Sequence, residues 1–316
     1  MRTIHSQTAV GTRWSLLVLG GLAVATSGRL YAAEAFLPLR LGEVKPEGWL
    51  RAQLQRDLVS GYHGHLDALL YPYTISALWM RSRGEDGDGL VATLYGPSRV
   101  ATKVNGVAVR VVEKTDYPFS FDIDFSIETA AEMVFPLHLR VPAWSGAPIV
   151  TAAGATVSRD QKGYLVVSKK WKTGDNVRLS LKPAIHGRAA VDGTTAVAYG
   201  PLVFSLPIRE KAEIIQRFPA AEAAGLKGFC GYQYDPADLV SAKRSLKLAA
   251  DKPDFGFSMV RVEDSDPLHP WDRSSLTLCG RMIGADDKLE QVVLLPVGCT
   301  ILRRTCFPTT RASGSR

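Results

Sequence analysis

The sequence predicts a mostly β protein: an antiparallel β-sandwich preceded by a short helical segment. Three observations carry this. Phe135, Leu137, Leu139 and Val141 alternate with Pro136, His138 and Arg140, the period of a strand with one buried face. From Ala77 the texture turns from helical to strand-like, with similar short apolar runs on both sides of that stretch. Gly- and Pro-containing turns separate them, which argues for a sandwich over α/β layering. The divisions expected are a leader over 1–35, an opening segment and helix over 36–76, a sandwich over 77–208, a β-rich region over 209–308 and a frayed tail over 309–316.

At the start of the chain, Arg2 and Arg13 precede the apolar run Trp14–Ala25, and Ala33-Glu34-Ala35 offers an A-x-A cleavage site. This is the layout of a secretory signal peptide, so the chain is expected to be exported, to the periplasm or beyond the cell. The run is short for a bilayer span and no second long one follows, so no membrane span is expected after the leader is removed. Formal charge is +7 over 316 residues, and loss of residues 1–35, with three arginines and one glutamate, leaves +5. A mild excess without a basic block among aromatics excludes nucleic acid as the expected partner. The 46% hydrophobic content suffices for one large or two modest cores.

Phe36–Pro46 reads as extended. Leu50, Leu54 and Leu58 stand at i, i+4 and i+8 in Glu47–Ser60 and predict an amphipathic helix ended by Gly61. In the following Tyr62-His63-Gly64-His65-Leu66-Asp67, His63, His65 and Asp67 are candidate metal ligands, because i, i+2 residues of an extended chain share a face. A glycine-rich loop with ordinary histidine hydrogen bonds is the alternative.

Strands are expected at Leu90–Tyr95, Val107–Val112, Phe121–Glu128 and Gly163–Ser168, then at Val177–Leu181 after a turn at Trp171–Asp175. Ala196–Leu206 is nearly continuously apolar and predicts a central strand covered on both sides. Asp122, Asp124 and Glu128 have the residue types of a paired-carboxylate site. Their alternation with Phe121, Ile123, Phe125 and Ile127 places them instead on the wet face of a strand. Trp144 and Trp171 are candidate sugar-stacking platforms, since the C–H face of a sugar ring packs on an indole; capping of the core is the competing role.

Beyond Arg209 the pattern weakens. Arg209–Leu226 reads as a short helix or an irregular crossing, and Gly228–Ala250 has little pattern. Strands return at Phe255–Val262, Leu276–Met282 and Gln291–Leu295, with Cys299–Cys306 as the last. Cys230, Cys279, Cys299 and Cys306 are disulfide candidates in an exported protein, with three complete pairings open, or free thiols. They have no C-x-x-C and no zinc-type spacing to histidine. The chain also lacks a P-loop, a G-x-G-x-x-G after a strand, a G-x-S-x-G elbow and an H-E-x-x-H.

Several stretches, in order, resemble glycoside hydrolase family 127, the β-L-arabinofuranosidase-like family. They are Phe36–Leu39, Val44–Leu50 and Gly64–Asp67, then Gly89–Val91 with Leu94–Ser98, Thr115–Phe119 and Leu137–Trp144. Trp171–Asp175, Ala198–Val203, Leu295–Thr300, Leu302-Arg303 and Phe307-Pro308 complete the set. The resemblance implies a β-sandwich, arabinose-containing glycans as partners, and zinc as the family's metal. It also implies a departure. Members carry a large α/α-toroid between the opening segment and the sandwich, which holds a cysteine nucleophile, zinc-ligating cysteines and a glutamate. Here little lies between Asp67 and Ala77, and all four cysteines fall in the C-terminal part, so no catalytic residue and no cofactor site is carried over.

The expected function is that of an exported, shortened relative without glycosidase activity on its own, produced by an internal deletion or by a faulty reading of the gene. An exposed sandwich face, where the toroid would pack, would then offer a surface for a protein partner. Two alternatives stand beside it: a carbohydrate-binding or scaffolding module, and a glycosidase subunit whose catalytic domain comes from a partner chain.

Overall fold

The computed structural model describes residues 35–40, 42–60, 78–83, 88–219, 230–263 and 266–310. The first part of the chain runs β1 (Ala35–Pro38), β2 (Val44–Pro46), α1 (Gly48–Ser60), β3 (Trp79–Arg83), β4 (Gly89–Ala92), β5 (Ser98–Val104), β6 (Val107–Lys114) and β7 (Asp122–Thr129). It continues through β8 (Met133–Leu139), β9 (Ile149–Thr151), β10 (Thr156–Arg159), β11 (Leu165–Trp171) and β12 (Asp175–Ser180). One sheet has the order β1-β3-β4-β8-β11-β10 and the other β2-β5-β6-β7-β12-β9. Neighbours are antiparallel except β4 and β8, which run parallel with Leu90 opposite Leu137.

Period-two alternation places one row of side chains from each sheet between the layers. Trp79, Leu90, Phe135, Leu137, Leu139, Val167 and Trp171 meet Val100, Val111, Ile123, Phe125, Ile127, Val177 and Leu179, all buried. Burial of each of these aliphatic or aromatic side chains contributes about 1.5–3 kcal/mol. The two indoles satisfy their polar atoms: Trp79 Nε1 donates to Ser98 Oγ at 3.0 Å and Trp171 Nε1 to the Phe135 carbonyl at 2.8 Å. Gly89 is required by close approach, since a Cβ there would stand 2.3 Å from the Pro136 carbonyl oxygen.

The acids of β7 are on the wet face, as expected. Asp124 accepts a two-pronged contact from Arg178 at 2.6 and 2.8 Å, Ser180 Oγ donates to Asp122 at 2.6 Å, and Arg110 pairs with Glu128 at 3.1 Å. The second face of β8 is a correction: His138 is buried, although alternation placed it with the polar residues. Phe36 of β1 covers it, ring to ring at 5.6 Å, and Asp160 lies 3.3 Å from its Nδ1.

The second part of the chain is built from shorter pieces. They are β13 (Ile185–Ala189), β14 (Thr195–Tyr199), β15 (Leu202–Pro207), β16 (Glu210–Arg217), β17 (Cys230–Pro236), the one-turn helix α2 (Leu239–Ala242) and β18 (Leu248–Ala249). Then come β19 (Ser258–Arg261), β20 (Leu276–Ile283), β21 (Leu289–Pro296), β22 (Arg303–Arg304), β23 (Cys306–Phe307) and β24 (Thr309–Thr310). The sheet order is β13-β14-β15-β21-β20-β19, with β22 on β15 and β23 on β14. Val197, Phe204, Leu276, Leu278, Leu294 and Phe307 are at the centre of its core.

Four expectations change here. Ala196–Leu206 is a hairpin, not one strand: Gly200 takes φ +58°, and Val197, Ala198 and Tyr199 pair back with Phe204, Val203 and Leu202. Arg209–Leu226 contains a strand, β16, paired with β17 as a two-stranded ribbon. Cys299–Cys306 is a single 3₁₀ turn (Val297–Cys299) followed by two-residue strands. Thr309 and Thr310, the first two residues of the tail expected to fray, are held in parallel register against Leu248 and Ala249, and the rest of that tail, 311–316, lies outside the described residues. Among the described residues no helix is long and apolar enough to cross a membrane.

Candidate functional site

The two cores meet at the loop after β6. Tyr117 and Phe121 pack with the sandwich, whereas Phe119, between them, is buried in the second core. A crevice opens beside this loop, with a cavity of about 110 Å³. Trp49 of α1 and Phe119 form its aromatic side, and the Trp271 ring stands edge-on to both, 6.5 and 4.8 Å away. Asp116, Arg261, Asp266 and Ser275 bring polar groups to it.

These groups differ in how far they are already satisfied. Asp266 accepts from the Leu268 amide at 2.9 Å and pairs with His269 Nδ1 at 2.7 Å. The histidine contact holds its carboxyl below the usual range, so it is an acceptor rather than a proton donor. Arg261 sits at the end of edge strand β19 and donates to the Phe119 carbonyl at 3.4 Å. Among the described residues no ion pair is formed by Asp116 or Arg261, although both line the cavity. The Trp49 indole N–H is buried without a hydrogen-bond partner among the described residues. An aromatic wall with an acceptor, a guanidinium and a hydroxyl can hold a small polar molecule.

A second cluster lies at the end of β8. Arg140 Nη1 donates to the Thr93 carbonyl at 3.2 Å, and the Tyr95 hydroxyl donates to the Arg140 carbonyl at 2.5 Å. Burial pushes the Tyr117 phenol up to about 12, against the opposing charge of Arg140. Burial likewise holds Tyr95 well above its ordinary value. Both remain neutral donors. Deeper in the sandwich, Glu113 is fully buried and accepts from the Gly96 amide at 3.1 Å and Ser98 Oγ at 2.9 Å. Burial raises its carboxyl to about 8 in spite of those hydrogen bonds, so it is largely protonated at neutral pH.

Of the sugar-stacking candidates, Trp171 is corrected: it is fully buried, tilted against Phe135 at 5.6 Å, and presents no face to a ligand. Trp144 is half-buried at the edge of the sandwich core, edge-on to Phe121 at 5.6 Å. His63, His65 and Asp67, and the leader, lie outside the described residues. Among the described residues no three His, Cys, Asp or Glu side chains converge as a metal ion needs. Cys230, Cys279, Cys299 and Cys306 are free thiols, each partly buried, and burial raises Cys299 to about 11, which suppresses its thiolate. The crevice groups were not singled out from sequence: Asp116 stood inside a recognisable stretch, but Arg261 and Asp266 carry no pattern of their own.

Residues 89–183 match the family model for the middle domain of GH127 β-L-arabinofuranosidase. A GH127 β-L-arabinofuranosidase from Geobacillus stearothermophilus T6 is similar in structure at 18% identity and TM-score 0.53, over 78% of this chain and 37% of that one. A glycoside hydrolase is similar at 18% identity and TM-score 0.52, over 81% and 41%. A further GH127 β-arabinofuranosidase is similar at 16% identity and TM-score 0.51, over 78% and 38%. No curated protein matches the chain. At such identities the likeness is one of fold, and the chain spans about two fifths of the length of these relatives.

Proposed function

From a GH127-like β-sandwich fold, with no α/α-toroid among its described residues, we propose an exported relative of the β-L-arabinofuranosidases that does not cleave glycosides by itself. The observation that carries this is the extent of the likeness: the family match lies on the middle domain, and the similar structures are more than twice the length that this chain covers. In support, no ligand cluster for a metal stands among the described residues, and the carboxyl nearest the crevice with a shifted proton affinity, Asp266, is shifted away from acid duty. Fold alone does not carry an activity.

The test is an aryl β-L-arabinofuranoside assay on the full chain with zinc and reductant present. A folded, β-rich spectrum with no turnover is expected. Turnover by the chain alone overturns the proposal, and turnover only after a second chain is added assigns it to a split glycosidase. Carbohydrate recognition is the second reading, favoured by the crevice, where aromatic and hydrogen-bonding groups face one small cavity.

A further inference from the structure

We propose that the crevice between the sandwich and the second sheet holds one sugar ring, and that Asp116 and Arg261 take its hydroxyls. The inference rests on the reading of the chain as a carbohydrate-recognising relative, and it names the site and the ligand class.

Size limits the ligand first. A cavity of about 110 Å³ has the liquid volume of roughly four waters. It is well below the ~300–1,000 Å³ that encloses a drug-sized ligand. A polymer chain therefore does not lie inside it; a single terminal ring enters in part and keeps the rest of its atoms at the open mouth, beside the exposed Asp116 and Arg261. The second limit is chemistry. Asp116 is exposed, has no charged partner among the described residues and offers acceptors; Arg261 is exposed and offers a planar fork of donors. A sugar presents hydroxyls that both donate and accept, so one ring satisfies both without carrying charge. The Ser275 hydroxyl lines the same space. The Trp49 ring supplies the apolar wall that a C–H face needs.

The larger depression beside α2, about 550 Å³, is a weaker candidate. Of its charged groups Arg244 and Glu290 already neutralise one another at 2.5 Å, which leaves Lys243, and its wall has no aromatic ring, while Leu239 and Val240 on it are 60% and 80% exposed.

The experiment is calorimetry and saturation-transfer NMR on the full chain with L-arabinose and methyl β-L-arabinofuranoside, and with glycine as a zwitterionic probe. Saturable sugar binding with a dissociation constant on the order of 1 mM is expected. Asp116→Ala and Arg261→Ala should each weaken it about tenfold or more, Asp116→Ala with an unchanged melting temperature, since that side chain is exposed. Trp49→Phe keeps the wall and removes the N–H, and should weaken binding by less. Sugar binding that Asp116→Ala and Arg261→Ala leave untouched but Trp144→Ala removes overturns this site while the carbohydrate reading stands. Absence of any sugar binding overturns both, and glycine binding without sugar binding makes the crevice an amino-acid site. Turnover of the aryl glycoside sinks the proposed lack of activity whatever the crevice binds.

Discussion

The sandwich and the β16–β17 ribbon are both antiparallel β-structure, yet they are stabilised in different ways. In β5 and β7 every second side chain is buried between two layers. In β16 almost every residue is exposed, with Ile214 and Ile215 at 43% and 64%. Backbone pairing is common to both regions, so the difference lies in burial. A lone two-stranded ribbon has little besides its ladder and contacts along its own strands, such as Tyr232 stacked on Tyr234, both of β17, at 5.9 Å. The sandwich has a core to which each strand contributes.

That comparison is broken most decisively by truncating a large side chain in each region. Trp171→Ala in the sandwich should cost about 3–5 kcal/mol in denaturant unfolding, from lost transfer energy and the cavity left behind. Ile215→Ala in the ribbon should stay within about 0.5 kcal/mol. Comparable losses at the two positions would mean that the ribbon has a buried face.

A second test uses Glu113, the most deeply buried acid among the described residues. The folded state raises Glu113 to about 8 from an ordinary 4.5, so the fold favours its protonated form. Its contribution is intact below pH 4.5 and is lost as pH rises towards 8, by up to about 1.4 kcal/mol per pH unit within that window. Melts from pH 4.5 to 8 should show this fall, and Glu113→Gln should flatten it. A fall of equal slope in the variant assigns it to other groups.

A smaller effect is expected where the backbones of β4 and β8 approach. Gly89→Ala must push a Cβ against the Pro136 carbonyl, and should cost about 1–3 kcal/mol by urea denaturation. The smallest effect belongs to the wet face. Arg178→Ala should leave the melting temperature within error at 0.15 M salt, because its partner Asp124 is also solvated. A clear drop would show that the wet face contributes more than its exposure suggests.

Legibility followed the same division. Phe121, Ile123, Phe125 and Ile127 announce β7 because one face is buried and one is wet, and the acids between them were placed correctly for that reason. β16 has no such alternation, and its charges and alanines read as a short helix or an irregular crossing because nothing buries either face. Ala196–Leu206 misled in the opposite way: both arms of a buried hairpin are apolar, so their sum looks like one long strand, and the turn at Gly200 was the only break. His138 was misplaced because its cover, Phe36, is about a hundred positions away in sequence.

The amino-acid sequence by itself determined β4, β6, β7, β8, β11 and β12 of the sandwich, the helix after Pro46 and the likeness to the GH127 fold, whereas β3, β5, β9 and β10 had no reading of their own. These depend on period-two burial, on glycine and proline chemistry and on the order of local stretches, all readable within a few residues. The tertiary structure alone decided that Trp171 is core, that Glu113 is sealed where it retains its proton, and that Asp116, Arg261 and Trp49 share one crevice. Desolvation and the meeting of groups from distant strands depend on which surfaces face each other, and no local period in a chain records that.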